Sequence, residues 1–393
     1  MKKFWKEQTI FVQFTLILIG LAFIVYLVAA VIKPAIEGFY FWNKTDYEKS
    51  AQIGDYLAGA VGTLFAFAGT IFIILTFREQ NKETKRKRFE EVFYEMVRIH
   101  RENVSQMIYF KKSKNNTREL RNRQVIKEIV DEYKELYGDI RKLVKRWNLD
   151  DSISEIYKER TNIIINSNNL KTTVSEMLTI DLAYYILFYG LGQEGKVIVE
   201  GKFKSIIKPK ELKIILFYLE QKPKKSNSKR FEFWKELKAM ESKKILNTVL
   251  ASYGREMEGE EYDNDISEQL TTNRQSNLKY KKYYGGHQHR LGHYYRHLYQ
   301  SYKILDRTDL ISDSSKYDYS KLLRAQISTY EQILLFVNSL SSLGMKWQLI
   351  EDNDKKNNFI ETYQVIKNVP GIKLYEIKYK NFYRNIKYEF VEQ

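Results

Sequence analysis

Two long uncharged stretches near the start constrain this chain more than anything else in it. Residues 10–32 (IFVQFTLILIGLAFIVYLVAAVI) carry no charge and a single glutamine, and residues 57–77 form a second uncharged run. A helix rises about 1.5 Å per residue, so each run is long enough to cross a hydrocarbon core of about 30 Å. A cleaved signal peptide has a shorter apolar region closed by a small-residue site, which the first run lacks. Two spans joined by a short link form a hairpin. Lys2, Lys3 and Lys6 precede the first span, and Arg78, Lys82, Lys85, Arg86, Lys87 and Arg88 follow the second. Cationic flanks stay inside, which places both termini in the cytoplasm and the hairpin in the inner, cytoplasmic membrane. Phe39, Tyr40, Phe41 and Trp42 then sit at the outer interface as an aromatic belt.

The second run has a face of small residues, Gly59, Gly62, Ala66 and Gly69. Such a strip lets helices approach closely and offers a packing face to the first span or to a second copy of the chain, a homo-oligomer. Deeper polar residues, which an ion or proton pathway needs, are missing from both runs.

The remainder is expected to be mainly α. Hydrophobic content of 44% is enough for a core, and only 4 Pro interrupt the chain. Heptad-like stripes recur: Phe89, Val92, Phe93, Met96, His100, Val104 and Met107 form one, with His100 read as a core histidine. Helices are predicted over 125–147, 152–165, 231–253 and 319–340, with a loop at 111–123. The apolar DLAYYILF segment at 181–188 ends in Gly190-Leu191-Gly192. That glycine pair is too short for a phosphate-binding fingerprint and reads as a helix end. Residues 254–286, acidic and then basic without a hydrophobic period, read as a flexible linker. The division is therefore a transmembrane hairpin (1–78), an N-terminal helical part of a cytoplasmic domain (79–253), the linker (254–286), and a C-terminal helical part (287–393) closing with a few short strands.

Net charge is +16, from 65 Lys+Arg against 49 Asp+Glu. This favours an anionic neighbour, either the lipid surface next to Lys82–Arg88 or a nucleic acid. With Cys 0, thiolate metal sites, disulfides and a cysteine nucleophile are excluded.

Four of the 5 histidines, His287, His289, His293 and His297, fall in one segment, HQHRLGHYYRHLYQSYKILD at 287–306. As a helix it places Leu291, Tyr295, Leu298, Tyr302 and Leu305 on an apolar face and Arg290, His293 and His297 on another. In 319–340, Leu323, Ile327, Tyr330, Leu334 and Val337 form a seam, while Arg324, Ser328, Glu331 and Asn338 line a polar stripe. Buried charge needs a partner, so the two polar faces are expected to meet, with Glu331 beside Arg290, His293 or His297. Arg290, His293, His297, Arg324 and Glu331 are thus the candidate catalytic set. His293 and His297 have metal-ligand spacing, but Tyr294 stands where an H-E-x-x-H site needs glutamate, and neither metal nor cofactor is expected.

Segments FEEVFYEMVRIHRENV (89–104), AYYILFYGLG (183–192), GHYYRHLYQSYKIL (292–305) and LLRAQISTYEQILLFVNSL (322–340) together resemble a phage abortive infection family (AbiC-like) of bacterial membrane-anchored proteins. The resemblance implies a role in limiting phage infection, through a cytoplasmic helical domain that senses or acts on an infection product such as a phage component. Arg290 and His297, as R-x6-H, also resemble the signature of HEPN-type ribonucleases, which implies metal-independent RNA cleavage. In that chemistry a histidine moves the 2′-OH proton and an arginine stabilises the phosphorane. The contrasting reading is a non-enzymatic, membrane-anchored scaffold whose polar stripes hold a bundle together.

Overall fold

The computed structural model describes residues 13, 17, 19–28, 32, 47–112, 117–147, 149–223, 228–275, 283–352 and 355–389. Within the first apolar run residues 19–27 are helical; much of the rest of that run, its lysine flank and Phe39–Trp42 lie outside the described residues. The chain divides into two compact units, Met1–Val92 with Asp309–Ser312, and Phe93–Thr308 with Asp313–Gln393.

In the first unit, helix α1 (Tyr47–Leu57) leads through a π-helical turn at Ala58–Gly62 into α2, Thr63–Ser105. The start of α2 is apolar enough to span a bilayer: over 18 residues its mean hydropathy is 1.2 and only 6% of that window is buried. It is the only such helix among the described residues, so the hairpin is supported by one candidate span rather than two. A Cβ added at Gly59, Gly62 or Gly69 would meet nothing within 4 Å, which leaves the small-residue face open. Lys82–Arg88 are all exposed.

The second unit is organised around a helix buried on every side. After the hairpin β1 (Ile108–Lys112) and β2 (Thr117–Arg121) come α3 (Arg123–Trp147), α4 (Glu155–Ser167) and α5 (Val174–Tyr189). In α5 every residue from Met177 to Leu187 is buried, as its all-round apolar composition requires. Thr173 opens it by accepting a hydrogen bond from the Glu176 N–H (3.2 Å), and Gly190 ends it at φ +82°. Helix α3 buries Val125, Ile126, Ile129, Val130, Tyr133, Leu136, Tyr137 and Ile140 and packs along α5. Around these lie α6 (Gln193–Phe203), α7 (Pro209–Glu220), α8 (Ser228–Ala239), α9 (Ser242–Ala251) and α10 (Asn264–Gln275). They are followed by α11 (Gln288–Arg307), α12 (Asp313–Gln326), α13 (Thr329–Leu340) and the single turn α14 (Phe359–Thr362). Short antiparallel pairs, β3–β4 (Glu351–Asp352 with Lys355–Lys356) and β5–β6 (Lys373–Leu374 with Ile377–Lys378), punctuate the end.

Four expectations change. The stretch 111–123 contains β2 and the end of β1, not only a loop. The helix expected over 231–253 breaks at Met240–Glu241 into α8 and α9. The stretch 254–286, expected to be a flexible linker, contains α10, which buries Ile266 and Leu270. The Asp263 carboxylate caps that helix at the Ile266 N–H (3.0 Å), and Asn247 donates to Glu260 and to the Glu261 carbonyl (both 3.1 Å). Residues 276–282 of the stretch lie outside the described residues. Lastly, the helix expected over 319–340 is two, because Ser328 forms a capping box with Glu331 and starts α13 afresh.

Candidate functional site

Helix α11 presents three faces, each set by what the fold brings against it. The apolar face is as read: Leu291, Tyr295, Leu298, Tyr302 and Leu305 are buried, and Tyr294 joins them at 1% exposure. The start of α11 is held by two crossing glycine turns. The His287 N–H donates to the Leu187 and Phe188 carbonyls (3.1 and 2.9 Å), and the Leu191 N–H donates to the Tyr284 carbonyl (2.8 Å). Gly190 and Gly286 both have positive φ, and a Cβ on Gly190 would lie 2.6 Å from the Gly285 carbonyl carbon. Only glycines allow these backbones to touch. The two pairs, separate in sequence, thus weld the end of α5 to the start of α11.

The second face of α11 holds Arg290. Its Nε donates to the Ile108 carbonyl (3.1 Å), its guanidinium lies 5.1 Å from the Tyr109 ring centroid, and its Nη1 donates to His287 Nδ1 (3.3 Å). That contact makes Nδ1 the acceptor, so His287 Nε2 carries the proton and donates to Glu132 Oε2 (3.3 Å). Both His287 and Glu132 are buried. Burial pushes the Tyr109 phenol up to about 12, with Glu132 and Glu128 adding to it, and lowers the Arg290 guanidinium below its usual range.

Glu331 sits at the centre of a separate buried cluster. It accepts from Tyr294 Oη (3.1 Å) and from the Ser328 N–H (2.7 Å), and lies 3.6 Å from Arg123 Nε. His100 Nε2 stands 3.8 Å from its Oε1, beyond hydrogen-bond reach, and neither His100 ring nitrogen has a partner. Burial, followed by His297 and Arg123, lowers His100 to about 4, so it is neutral at pH 7. The nearby carboxylate does not rescue the charged form because Tyr294, Ser328 and Arg123 already occupy it. His297 is half-buried, its Nδ1 unpartnered, and burial lowers its pKa as well. Glu331 therefore meets α11 through Tyr294, and no hydrogen bond or ion pair joins it to Arg290, His293 or His297. Arg324 lies elsewhere, donating to the Tyr363 and Gln364 carbonyls (3.2 and 3.1 Å). Asn338 donates to Tyr184 Oη (2.9 Å).

The third face opens onto a groove of about 640 Å³. Gln288, His289, Gly292, His293, Arg296 and Gln300 line it from α11, joined by Phe188 and Tyr189 at the end of α5 and by Asn338, Leu343, Lys346 and Trp347 from α13 and the segment after it. Lys346 Nζ stands 4.5 Å over the Tyr299 ring, whose edge packs on the buried Trp347. Among the described residues, no carboxylate lines the groove. The trio Arg290, His293 and His297 is thus divided: His293 faces the groove, whereas Arg290 is tied to β1 and His297 lies beside the His100 cluster. His289, Arg296 and Lys346 were missed, although 289, 293, 296 and 300 recur at helical spacing. Among the described residues, no three His, Asp or Glu side chains converge as metal ligands would.

The described residues make up a mainly helical protein with one candidate membrane span and a second unit built on a buried central helix. A histidine-bearing helix there borders an open, carboxylate-free groove. Residues 286–374, which run from the start of α11 past α14, match the family described as "Putative phage abortive infection protein" (putAbiC). No curated protein and no solved structure matched the chain.

Proposed function

We propose that the protein is a membrane-anchored antiphage factor of the abortive infection type, whose cytoplasmic helical unit senses or acts on a product of infection through the groove face of α11. The observation that carries this reading is the family match over 286–374, a range that contains all of α11 and α13. Anchoring is supported by the exposed apolar start of α2 and the exposed basic run that follows it. In this reading the chain enters the bilayer as a two-span hairpin with both termini in the cytoplasm, and the glycine face of the second span, open among the described residues, supports self-association in the bilayer. The test is efficiency of plating on bacteria expressing the full chain. Fewer or smaller plaques than in an empty-vector strain are expected, and unchanged plating across a broad phage panel would end the antiphage reading. A reporter fused at Gln393 that is active only outside the cytoplasm would end the topology.

The ribonuclease reading has narrower support. Arg290 and His297 share one face of α11, two turns apart, but the Arg290 guanidinium is engaged by the Ile108 carbonyl and His287. A scaffold reading draws support from Arg324 and Glu331, each bound to backbone groups. His297→Ala separates the two: RNA cleavage lost with folding intact favours the enzyme.

A further inference from the structure

The groove beside α11 carries a pattern of charge and shape that selects its occupant. Arg296 is exposed at its edge and forms no ion pair among the described residues. His289 and His293, both exposed, sit one turn apart on the same wall. Lys346 adds a second cation from the segment after α13, over the Tyr299 ring. Gln288 and His289, the first residues of a twenty-residue helix, line the same space, and their backbone N–H groups have no backbone acceptor. These orphan donors and the helix dipole favour an anion. The charged side chains among its described lining, Arg296 and Lys346, are cationic, and no Asp or Glu stands with them.

Shape narrows the choice. From the N-terminal donors to Arg296 the helix climbs about 10 Å, too far for one phosphate to bridge and well matched to a chain of two or three. Gly292 lies between His289 and Arg296; it adds no side chain to the floor, and a Cβ there would meet only Phe188, at 3.8 Å. Phe188 and Tyr189, half-exposed at the mouth, supply flat apolar surface of the kind on which a base stacks. A volume of about 640 Å³ is that of a small-molecule site.

We infer that this groove binds a polyphosphorylated nucleoside, its phosphates laid along α11 from the Gln288–His289 N–H groups past Gly292 to His293 and Arg296, and its base against Phe188 and Tyr189. The inference takes its biological setting from the antiphage reading above. The same chemistry is offered by a free nucleoside triphosphate and by the 5′-triphosphate end of an RNA.

Equilibrium dialysis of the full chain in detergent micelles, with labelled ATP, GTP and a short 5′-triphosphorylated RNA as probes, tests it. Saturable binding of at least one probe at sub-millimolar concentration is expected, weakening as salt rises. ATP or GTP binding alone identifies a free nucleotide as the source, and RNA binding alone identifies a transcript end. Arg296→Gln, an exposed change that spares the core, should weaken binding about tenfold or more, since it removes a charge-assisted hydrogen bond to the phosphates. Gly292→Val, which fills the floor, should weaken it further, while Arg160→Gln on the exposed face of α4 should leave it unchanged. Melting curves establish that each variant is folded. Saturable binding of no probe, or binding that Arg296→Gln leaves unaltered in a folded protein, overturns the inference. Loss of plating defence with binding intact would retire the antiphage role alone; defence without binding would retire the groove alone.

Discussion

Removing the Glu331 carboxylate should destabilise the protein through two identifiable losses that depend on each other. Glu331→Ala deprives the buried Tyr294 hydroxyl of its acceptor (3.1 Å) and the Ser328 N–H of its own (2.7 Å). An unsatisfied buried donor costs about 1–3 kcal/mol, and half of a capping box is worth a further ~1 kcal/mol. The total is about 2–4 kcal/mol, which for a unit of this size lowers Tm by roughly 3–7 °C. Tyr294→Phe removes the stranded donor, so its addition to Glu331→Ala should recover about 1 kcal/mol or more. The full chain in detergent, melted at pH 7.5 and followed by near-ultraviolet circular dichroism, supplies the four corners of that double-mutant cycle. Strictly additive effects, with a coupling below about 0.5 kcal/mol, would refute the pairing of Tyr294 with Glu331. So would a destabilised Glu331→Gln variant as damaged as Glu331→Ala, because glutamine retains an acceptor oxygen.

Three other perturbations have defined outcomes. His100 falls from its ordinary 6.5 to about 4 in the fold, so between those values the unfolded chain binds the extra proton and stability declines as pH drops, by up to about 3 kcal/mol. Asp181, raised to about 6 by burial, acts in the opposite sense between 3.8 and 6, so the readout is the difference between wild type and His100→Leu. That difference should grow in favour of the variant from pH 7 to pH 4.5, and a pH-independent difference would contradict a buried neutral histidine. Gly190→Ala imposes a side chain at φ +82° and a Cβ 2.6 Å from backbone, so a loss above about 2 kcal/mol is expected in denaturant melts. Asp263→Ala should cost about 1 kcal/mol by uncapping α10 and should speed proteolysis within 264–275; equal cleavage rates would count against that cap.

Periodicity and composition alone were sufficient for much of this molecule. The apolar start of α2, the helical character of the rest, the buried face of α11 and the all-round burial of 181–187 are local properties. An apolar stripe at helical spacing must find cover, whatever supplies it. The family resemblance was also legible, because it rests on short segments that keep their order. The meeting of distant residues was not legible. Nothing near Gly190 announces that Gly285 and Gly286 will lie against it. Likewise nothing near Glu331 announces His100 and Tyr294 rather than His293, and the Ser328 cap that splits the expected long helix also rotates that carboxylate's surroundings. One helix turn has room for several polar side chains at comparable angles, so the sequence left Arg290, His293 and His297 as a single set. Tertiary packing divided them, because β1 supplied a carbonyl for Arg290, α2 supplied His100 beside His297, and the welded glycine turns left the side of His289, His293 and Arg296 uncovered.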